Sequence, residues 1–488
     1  MDANQIKQLG RRLQKFLSEF DDCFVRRGSR VHLRTYVGGQ ISNLPRKSIE
    51  PMALAAKVRP RTLQFFLSSA PWDGPRLRDR TQWLVARDHA HPQALGIVDE
   101  TGNPKKGPHT AGVQRQWCGN SGKIDNCVVA VHLAYVAGDF QGLLDSDLYL
   151  PEDWANDSPR RQAAGVPQEL VYRKKTTIAL EQIHRALANG IRVASWTFDE
   201  WYGRDGEFLD GLEALGQNYV GQVPADFSGW LREPEVLQKP TSAQRRQRGR
   251  KRHFPRLSRK ALPAGEVANL LRYSQIFQAQ KWKRFRIKDG EKGPLVWEVK
   301  AAHFYRRQGE HGLPGRSHTL MVARNVLDPK EVKYFLSNMV VGSEGVCLPW
   351  LLWVAFSRFP IERCLEIGKR ELGMDHFEVR SWKAIHRHLY ISQLSQLFCA
   401  RVHQSLREKN AGDAVSDGRT GTRSRQYLPD GPEPAGLDPN EPLSGNQRPD
   451  RLSSAPQPTG PTKSSQKDAP LPACLGYQSQ STAVLRPT

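Results

Sequence analysis

The spacing of apolar positions divides the chain into stretches of different period. Ile6, Leu9, Leu13, Phe16, Leu17 and Phe20 fall on one broad face and predict an amphipathic helix over residues 3–22. After Arg26, Arg27, Arg30 and Arg34, the stretch Ser48-Ile49-Glu50-Pro51 opens a short helical pattern through Ala56. Pro60 interrupts that pattern, and residues 62–69 resume it. Two short helices joined by a tight break and flanked by Arg and Lys suit a helix-turn-helix-like module, and equally a plain helical bundle. Further along, residues 95–99, 127–136 and 143–150 read as strands, residues 176–189 as an amphipathic helix, and residues 191–198 as a fourth strand. A helix over about 205–215 and a strand over 219–223 follow. Short strand-like pieces at 282–287, 295–299 and 319–322 come next, and residues 328–400 return to helical spacing. From about 405 the chain is rich in Pro, Gly, Ser, Asp and Arg, which predicts a disordered tail.

Three strands, a helix, a strand, a helix and a strand form the order of a ribonuclease H-like α/β core. The expected divisions are a helical N-terminal region at 1–85, whose paired short helices would suit DNA binding, the first part of that core at 86–223, a mainly β insertion at 224–325, the second part of the core at 326–404, and the tail at 405–488. Two of the strands run into acidic pairs. Leu95-Gly96-Ile97-Val98 leads to Asp99-Glu100, and Ser195-Trp196-Thr197-Phe198 leads to Asp199-Glu200. In that fold the first and fourth strands are neighbours, so Asp99 and Asp199 are expected to face one another. A carboxylate placed there is costly to bury without a cation, and a pair of them suggests a shared metal site. A strand-ending turn aspartate would give the same local pattern.

Charge changes the picture. The 488 residues hold 72 Lys and Arg against 50 Asp and Glu, a formal net charge of +22, and the excess favours a polyanionic partner, nucleic acid first and an anionic membrane surface second. Its densest run is Arg245, Arg246, Arg248, Arg250, Lys251 and Arg252, inside the expected insertion. The longest apolar run, residues 347–356, is broken by Pro349 and too short to span a membrane, and residues 1–5 lack the shape of a signal peptide. The seven cysteines form no C-x-x-C pair, which argues for a reducing compartment and against a zinc finger. A cytoplasmic, nucleoid-associated protein is expected.

The third carboxylate candidate lies in Arg358-Phe359-Pro360-Ile361-Glu362-Arg363-Cys364-Leu365-Glu366-Ile367-Gly368-Lys369, with spacing R-x3-E-x6-K. At about 100° per residue, Arg358 lies roughly 40° and Lys369 roughly 20° from Glu362, so the three share one helical face. A surface salt-bridge ladder has the same pattern. Pro360 could kink the helix and displace Arg358.

Here the chain resembles the DDE transposases of bacterial insertion sequences. Asp99, Asp199 and Glu362 look like their catalytic triad, and Arg358, Glu362 and Lys369 match three letters of the Y-R-E-K signature of the cut-and-paste branch. Asp99 to Gly107, Gly119 to Asn126, Asp199-Glu200-Trp201-Tyr202-Gly203 and Glu371 to Arg380 extend the similarity, which covers roughly residues 45–400. The signature tyrosine position, 355, is Ala, with Phe356 adjacent. The resemblance implies a ribonuclease H-like fold, a β-rich insertion before the Glu, cleavage at transposon ends and strand transfer. It also implies two Mg²⁺ or Mn²⁺ ions per site, with Asp99 bridging both and Asp199 and Glu362 completing one each.

Arg358 and Lys369 would hold phosphates near the scissile bond, with Lys105 and Lys106 as further candidates. The partners expected are double-stranded DNA, as terminal inverted repeats and target, and a second copy of the chain as a homodimer on DNA. Glu100, Glu200 and Glu366 are expected not to be ligands, and His388 to be structural or a DNA contact. An ordinary metal-dependent nuclease on the same fold and an inactive DNA-binding relative remain the alternatives.

Overall fold

The computed structural model describes residues 3–237, 255–290, 293–309, 311–343 and 345–416. It opens with helices α1 (Ala3–Ser18), α2 (Arg27–Ile41), α3 (Ile49–Ala55), α4 (Pro60–Ser68) and α5 (Gly74–Asp88). Phe16, Leu17 and Phe20 are buried, as the spacing predicts. Proline helps to start two of these helices. Pro60 opens α4, and Pro75 lies in the first turn of α5, whose capping residue Asp73 accepts a hydrogen bond from the Arg76 amide. The break expected at Pro60 is therefore a helix start.

Strands β1 (Leu95–Pro104), β2 (Gln114–Cys118), β3 (Lys123–Ala137) and β4 (Phe140–Leu148) follow, antiparallel to their partners. Next come α6 (Glu152–Asn156), α7 (Ser158–Ala163), α8 (Lys175–Ala188), β5 (Ser195–Thr197), α9 (Glu200–Gly203), α10 (Gly206–Ala214) and β6 (Val220–Val223). The first sheet has the order β4-β3-β1-β5, with β2 on the N-terminal end of β3. β1 lies antiparallel to β3 and parallel to β5. The neighbouring strands expected to carry Asp99 and Asp199 are thus adjacent. Two details differ from expectation. β1 does not end at Asp99 but continues to Pro104, because residues 100–104 keep pairing with β3. β2, with its sequence Gln-Arg-Gln-Trp-Cys, is too polar to be recognised by hydrophobic alternation.

The remainder holds β7 (Ser228–Trp230), β8 (Val236–Leu237), β9 (Arg256–Leu257), β10 (Gly265–Glu266), α11 (Val267–Tyr273), α12 (Gln275–Gln278), β11 (Lys283–Gly290), β12 (Gly293–Gln308), β13 (Leu313–Asn325) and β14 (Val332–Ser337). Helices α13 (Leu348–Ala355), α14 (Phe359–Arg370) and α15 (Trp382–Ser416) close it. The expected insertion is mainly β, but its sheet is not separate. It runs β10-β7-β12-β13-β14-β6, so it extends beyond residue 325 and takes in β6. β6 in turn meets β5 through the Trp196–Tyr219 bridge and the bond from the Trp196 amide to the Asn218 carbonyl, 2.9 Å. The basic residues 245–252 lie outside the described residues, as does the expected tail from residue 417 on; α15 itself runs past residue 405. No helix among the described residues is long and apolar enough to cross a membrane.

Helix α15 joins the N-terminal helices to the first sheet. It is covered on several sides, so its polar residues face protein and must find partners there. Arg387 donates to the carbonyls of Phe66 and Leu67 at the end of α4 and of Trp72 in the turn that follows. Gln40 on α2 bonds Ser392 and Ser395, 2.8 Å each. Towards the sheet, Gln393 donates to Ser146, His386 meets Asp147 at 2.8 Å, and Gln396 accepts from the Leu143 amide. The N-terminal helices therefore share one core with the sheet.

Arg387→Met keeps much of the side-chain volume but removes the donor to the Leu67 and Trp72 carbonyls, while the Phe66 carbonyl keeps the Trp72 indole. It is expected to lower unfolding free energy by about 3 kcal/mol, read from the shift of the urea midpoint.

Candidate active site

Asp99 and Asp199 reach one place through backbone register. Ile97 on β1 pairs with Thr197 on β5, and each aspartate lies two residues beyond that pair. There the parallel ladder stops. β5 gives way to α9, whose capping residue is Asp199, its carboxylate accepting from the Trp201 and Tyr202 amides. Gly203 lets this turn approach β6, since a Cβ there would sit 1.9 Å from the Gln222 carbonyl oxygen. The glycine of Asp-Glu-Trp-Tyr-Gly is thus explained by a close backbone contact.

Glu362 arrives from the far end of the chain. Pro360 falls in the first turn of α14, where it removes no helical hydrogen bond, so the helix starts there rather than kinks. Ile361, Cys364 and Leu365 bury one face of α14 in a cluster that also holds Ile97, Val128 and Ala130 of the sheet. Arg358, just before α14, donates through Nη1 to Asp99 Oδ2 and through Nη2 to Glu362 Oε1, both at 2.5 Å. One guanidinium thus bridges two of the three expected carboxylates. The loop that carries it is braced by the second sheet. Phe356 packs on Trp297 and Phe335 with ring centroids 5.0 and 5.2 Å apart, and Lys288 donates to the Phe356 carbonyl at 2.6 Å. Where the signature has tyrosine, Ala355 is buried, and the neighbouring aromatic serves this packing.

Only 14% of the Asp99 side chain is exposed. Burial raises its pKa to about 6; Arg358 opposes the shift, and the charges of Asp199 and Glu100 add to it. The interaction with Asp199 marks the two aspartates as electrostatic neighbours. His132, opposite Asp99 on β3, is fully buried, bonds Ser146 at 2.7 Å and is held down to about 3 by burial, hence neutral. Lys369 donates to Thr101 on β1 at 2.6 Å, and burial lowers its pKa.

The other candidates are distributed as follows. Lys105 donates to the Phe377 carbonyl at 2.8 Å and lies over the Phe377 ring, and burial lowers it to about 8; its ammonium is committed to protein. Lys106 is exposed. Glu100 is held by Lys175 and Tyr202, Glu366 by Arg363 and Arg370, and Glu200 accepts from Gln222 at 3.4 Å. His388 is buried between the Tyr36 hydroxyl and the Met374 carbonyl, a structural setting. Sequence reasoning missed the brace beneath Arg358 and the Lys369–Thr101 contact; both depend on pairings between distant segments that no local pattern carries.

Three carboxylates are hard oxygen donors, which suits Mg²⁺ or Mn²⁺. Among the described residues no three His, Cys, Asp or Glu side chains form a ready metal cage. The donor set therefore fits in chemical type, with Arg358 standing between two of its members.

The sequence profile of the DDE superfamily endonucleases matches residues 19–294, more than half of the chain. The protein belongs to this family. The matched span holds Asp99 and Asp199 and ends before Glu362. The chain is also 34% identical over 187 residues to a probable transposase for insertion sequence element IS701 from Microchaete diplosiphon; the alignment covers 37% of this chain and 46% of that relative, so less than half of the relative's length is spanned.

The raised pKa of Asp99 has a sign that can be tested. The folded value is about 6, above the roughly 3.9 of an unfolded Asp. Ionised Asp99 therefore costs stability, increasingly from about pH 4 to pH 6 and fully above that. In EDTA, Asp99→Asn should be more stable than wild type at pH 8 by up to about 3 kcal/mol, and the difference should vanish below pH 4. Denaturation curves at the two pH values check this.

Proposed function

We propose that the protein is a DNA transposase that binds the ends of an insertion sequence, cleaves phosphodiester bonds there with divalent metal ions, and joins the freed 3′-OH ends to target DNA. The observation that carries this reading is the link of Asp99 to Glu362 through Arg358, beside Asp199, in a chain of the DDE superfamily endonuclease family. The relative, a probable transposase of an insertion sequence, points the same way. A ribonuclease H-like core is supported by the strand order β4-β3-β1-β5 and the contact of β5 with β6.

In this reading Asp99, Asp199 and Glu362 would hold the divalent ions, which when bound would supply charge to polarise the scissile phosphate. Arg358 has two duties. In the free protein it neutralises the carboxylates, and its planar fork would also suit a phosphate oxygen of bound DNA. Lys369, tied to Thr101, keeps a cation close to the same strand. The N-terminal helices recognise the ends, the run at 245–252 grips phosphates, and two copies of the chain pair the ends as a homodimer.

Purified full-length protein, labelled duplexes carrying the inverted repeats that flank its reading frame, and Mg²⁺ test the proposal. Joined products support a transposase; nicking without joining would make the protein a nuclease, and binding without nicking an inactive relative. Asp99→Ala, Asp199→Ala and Glu362→Ala should each abolish cleavage while leaving the gel shift of the duplex nearly unchanged. Near-normal Mg²⁺-dependent nicking by any one of them removes that residue from the triad.

Replacing Arg245, Arg246, Arg248 and Arg250 with Ser should weaken specific and random duplexes by similar factors. Each lost phosphate contact should reduce the slope of log affinity against log salt by roughly 0.9. Loss of specific binding alone would mean that the run reads bases.

A further inference from the structure

We propose that α4 is the base-reading helix of this protein, set for the major groove of duplex DNA, with Arg61, Gln64, Phe65 and Ser68 as its reading side chains and Lys57 as a phosphate anchor at its entrance. The inference rests on the proposed recognition of DNA ends and names the surface that performs it.

Three observations converge on α4. Its buried side is Leu63, Phe66 and Leu67, and its exposed side is Arg61, Gln64, Phe65 and Ser68, one continuous stripe at helical spacing. An exposed phenylalanine alone would mean little. Here Phe65 is 53% exposed on the same stripe as a guanidinium donor and an amide, the residue types that pair with guanine and adenine edges, while an apolar ring can meet a thymine methyl.

The second observation is the turn before the helix. Lys57 has φ of +55°, and it is the only non-glycine residue with positive φ among the described residues. Glycine would adopt that conformation without strain, so lysine at this position is paid for in backbone energy. Its exposed ammonium lies on the approach to α4 with exposed Arg59 and Arg61. Helix α2 packs His32 and Tyr36 against Phe66 of α4 from behind. The acidic neighbours of Gln64 are Glu50 and Glu378, and Glu378 is paired with Arg46 at 2.7 Å.

The third observation is rigidity from behind. Arg387 caps the last carbonyls of α4, and the Trp72 indole donates to the Phe66 carbonyl at 2.7 Å while its ring stacks on Phe66. A helix held this firmly presents its outer stripe in one orientation, which base reading requires.

The test uses the full chain in EDTA, so that nothing is cleaved. Duplexes are selected from a library with a randomised centre, and hydrogen exchange is then measured with and without the selected duplex. Protection of α4 is expected. Arg61→Ala and Gln64→Ala should each weaken the selected duplex by roughly 5- to 150-fold, and repeated selection should return a consensus relaxed at one or two positions. Lys57→Gly should keep or raise the melting temperature, yet lower affinity and reduce the salt slope by about 0.9; a purely structural lysine would give the stability gain with no loss of binding.

Protection confined to α1, α2 or α5, or wild-type binding by all three variants, overturns the assignment to α4 and leaves end recognition by the N-terminal helices standing. A selection without consensus also overturns it. No protection anywhere in residues 3–88 removes both this inference and the role of the N-terminal helices.

Discussion

The arrangement depends on keeping an ionised carboxylate at Asp99 against the sheet. Asp99 is largely buried, faces a neutral histidine, and shares its surroundings with Asp199 and Glu100. Burial raises its pKa, and Arg358 opposes that shift. Arg358 is the counter-charge, and it comes from a residue 259 positions away. The chain must therefore bring the segment before α14 back to β1 with accuracy, and much of the architecture after β6 serves that end. The loop with Arg358 is set by Phe356, which is held by Trp297 and Phe335, and by Lys288 on the Phe356 carbonyl.

A second constraint acts behind the sheet. A helix enclosed by other elements cannot use water to satisfy its polar side chains, so α15 works only if its neighbours supply partners in register. Gln40, Tyr36 and the end of α4 do so on one side, and Ser146, Asp147 and the Leu143 amide on the other. Because β4 and α4 are tied to one helix, the surface on α4 has a fixed place relative to the carboxylates on β1.

Much of this was legible in the sequence where the signal is local. The runs of the first sheet, the helix at 176–189 and the paired Asp-Glu segments were read from period and turn chemistry, and the strands leading to Asp99 and Asp199 are adjacent. What stayed hidden is long-range. The extension of β1 past Asp99 needs the partner β3, and β2 is too polar to show itself without that partner. Lys105 looked like a free phosphate cation; only the return of residues 375–377 gives its ammonium two carbonyls and a ring. The concern over Pro360 vanished because a proline in the first helical turn costs nothing, whereas the same residue one turn later would have broken α14.

The shared strand β6 carries the argument one step further. Its Val220–Val223 edge pairs with β14, while residues 218–219 and 222 bond the segment of β5 that leads to Asp199. The second sheet thus touches the site twice, once through β6 at Asp199 and once through Trp297, Phe335 and Lys288 at Arg358. A rigid-body shift of that sheet would move both positions together. A sheet that reaches both the turn at Asp199 and the loop at Arg358 can hold those two segments in register even though its own sequence lies between them. The chain between Asp199 and Glu362 therefore costs the site little precision, since the segment that separates them also supplies the contacts that bring them back.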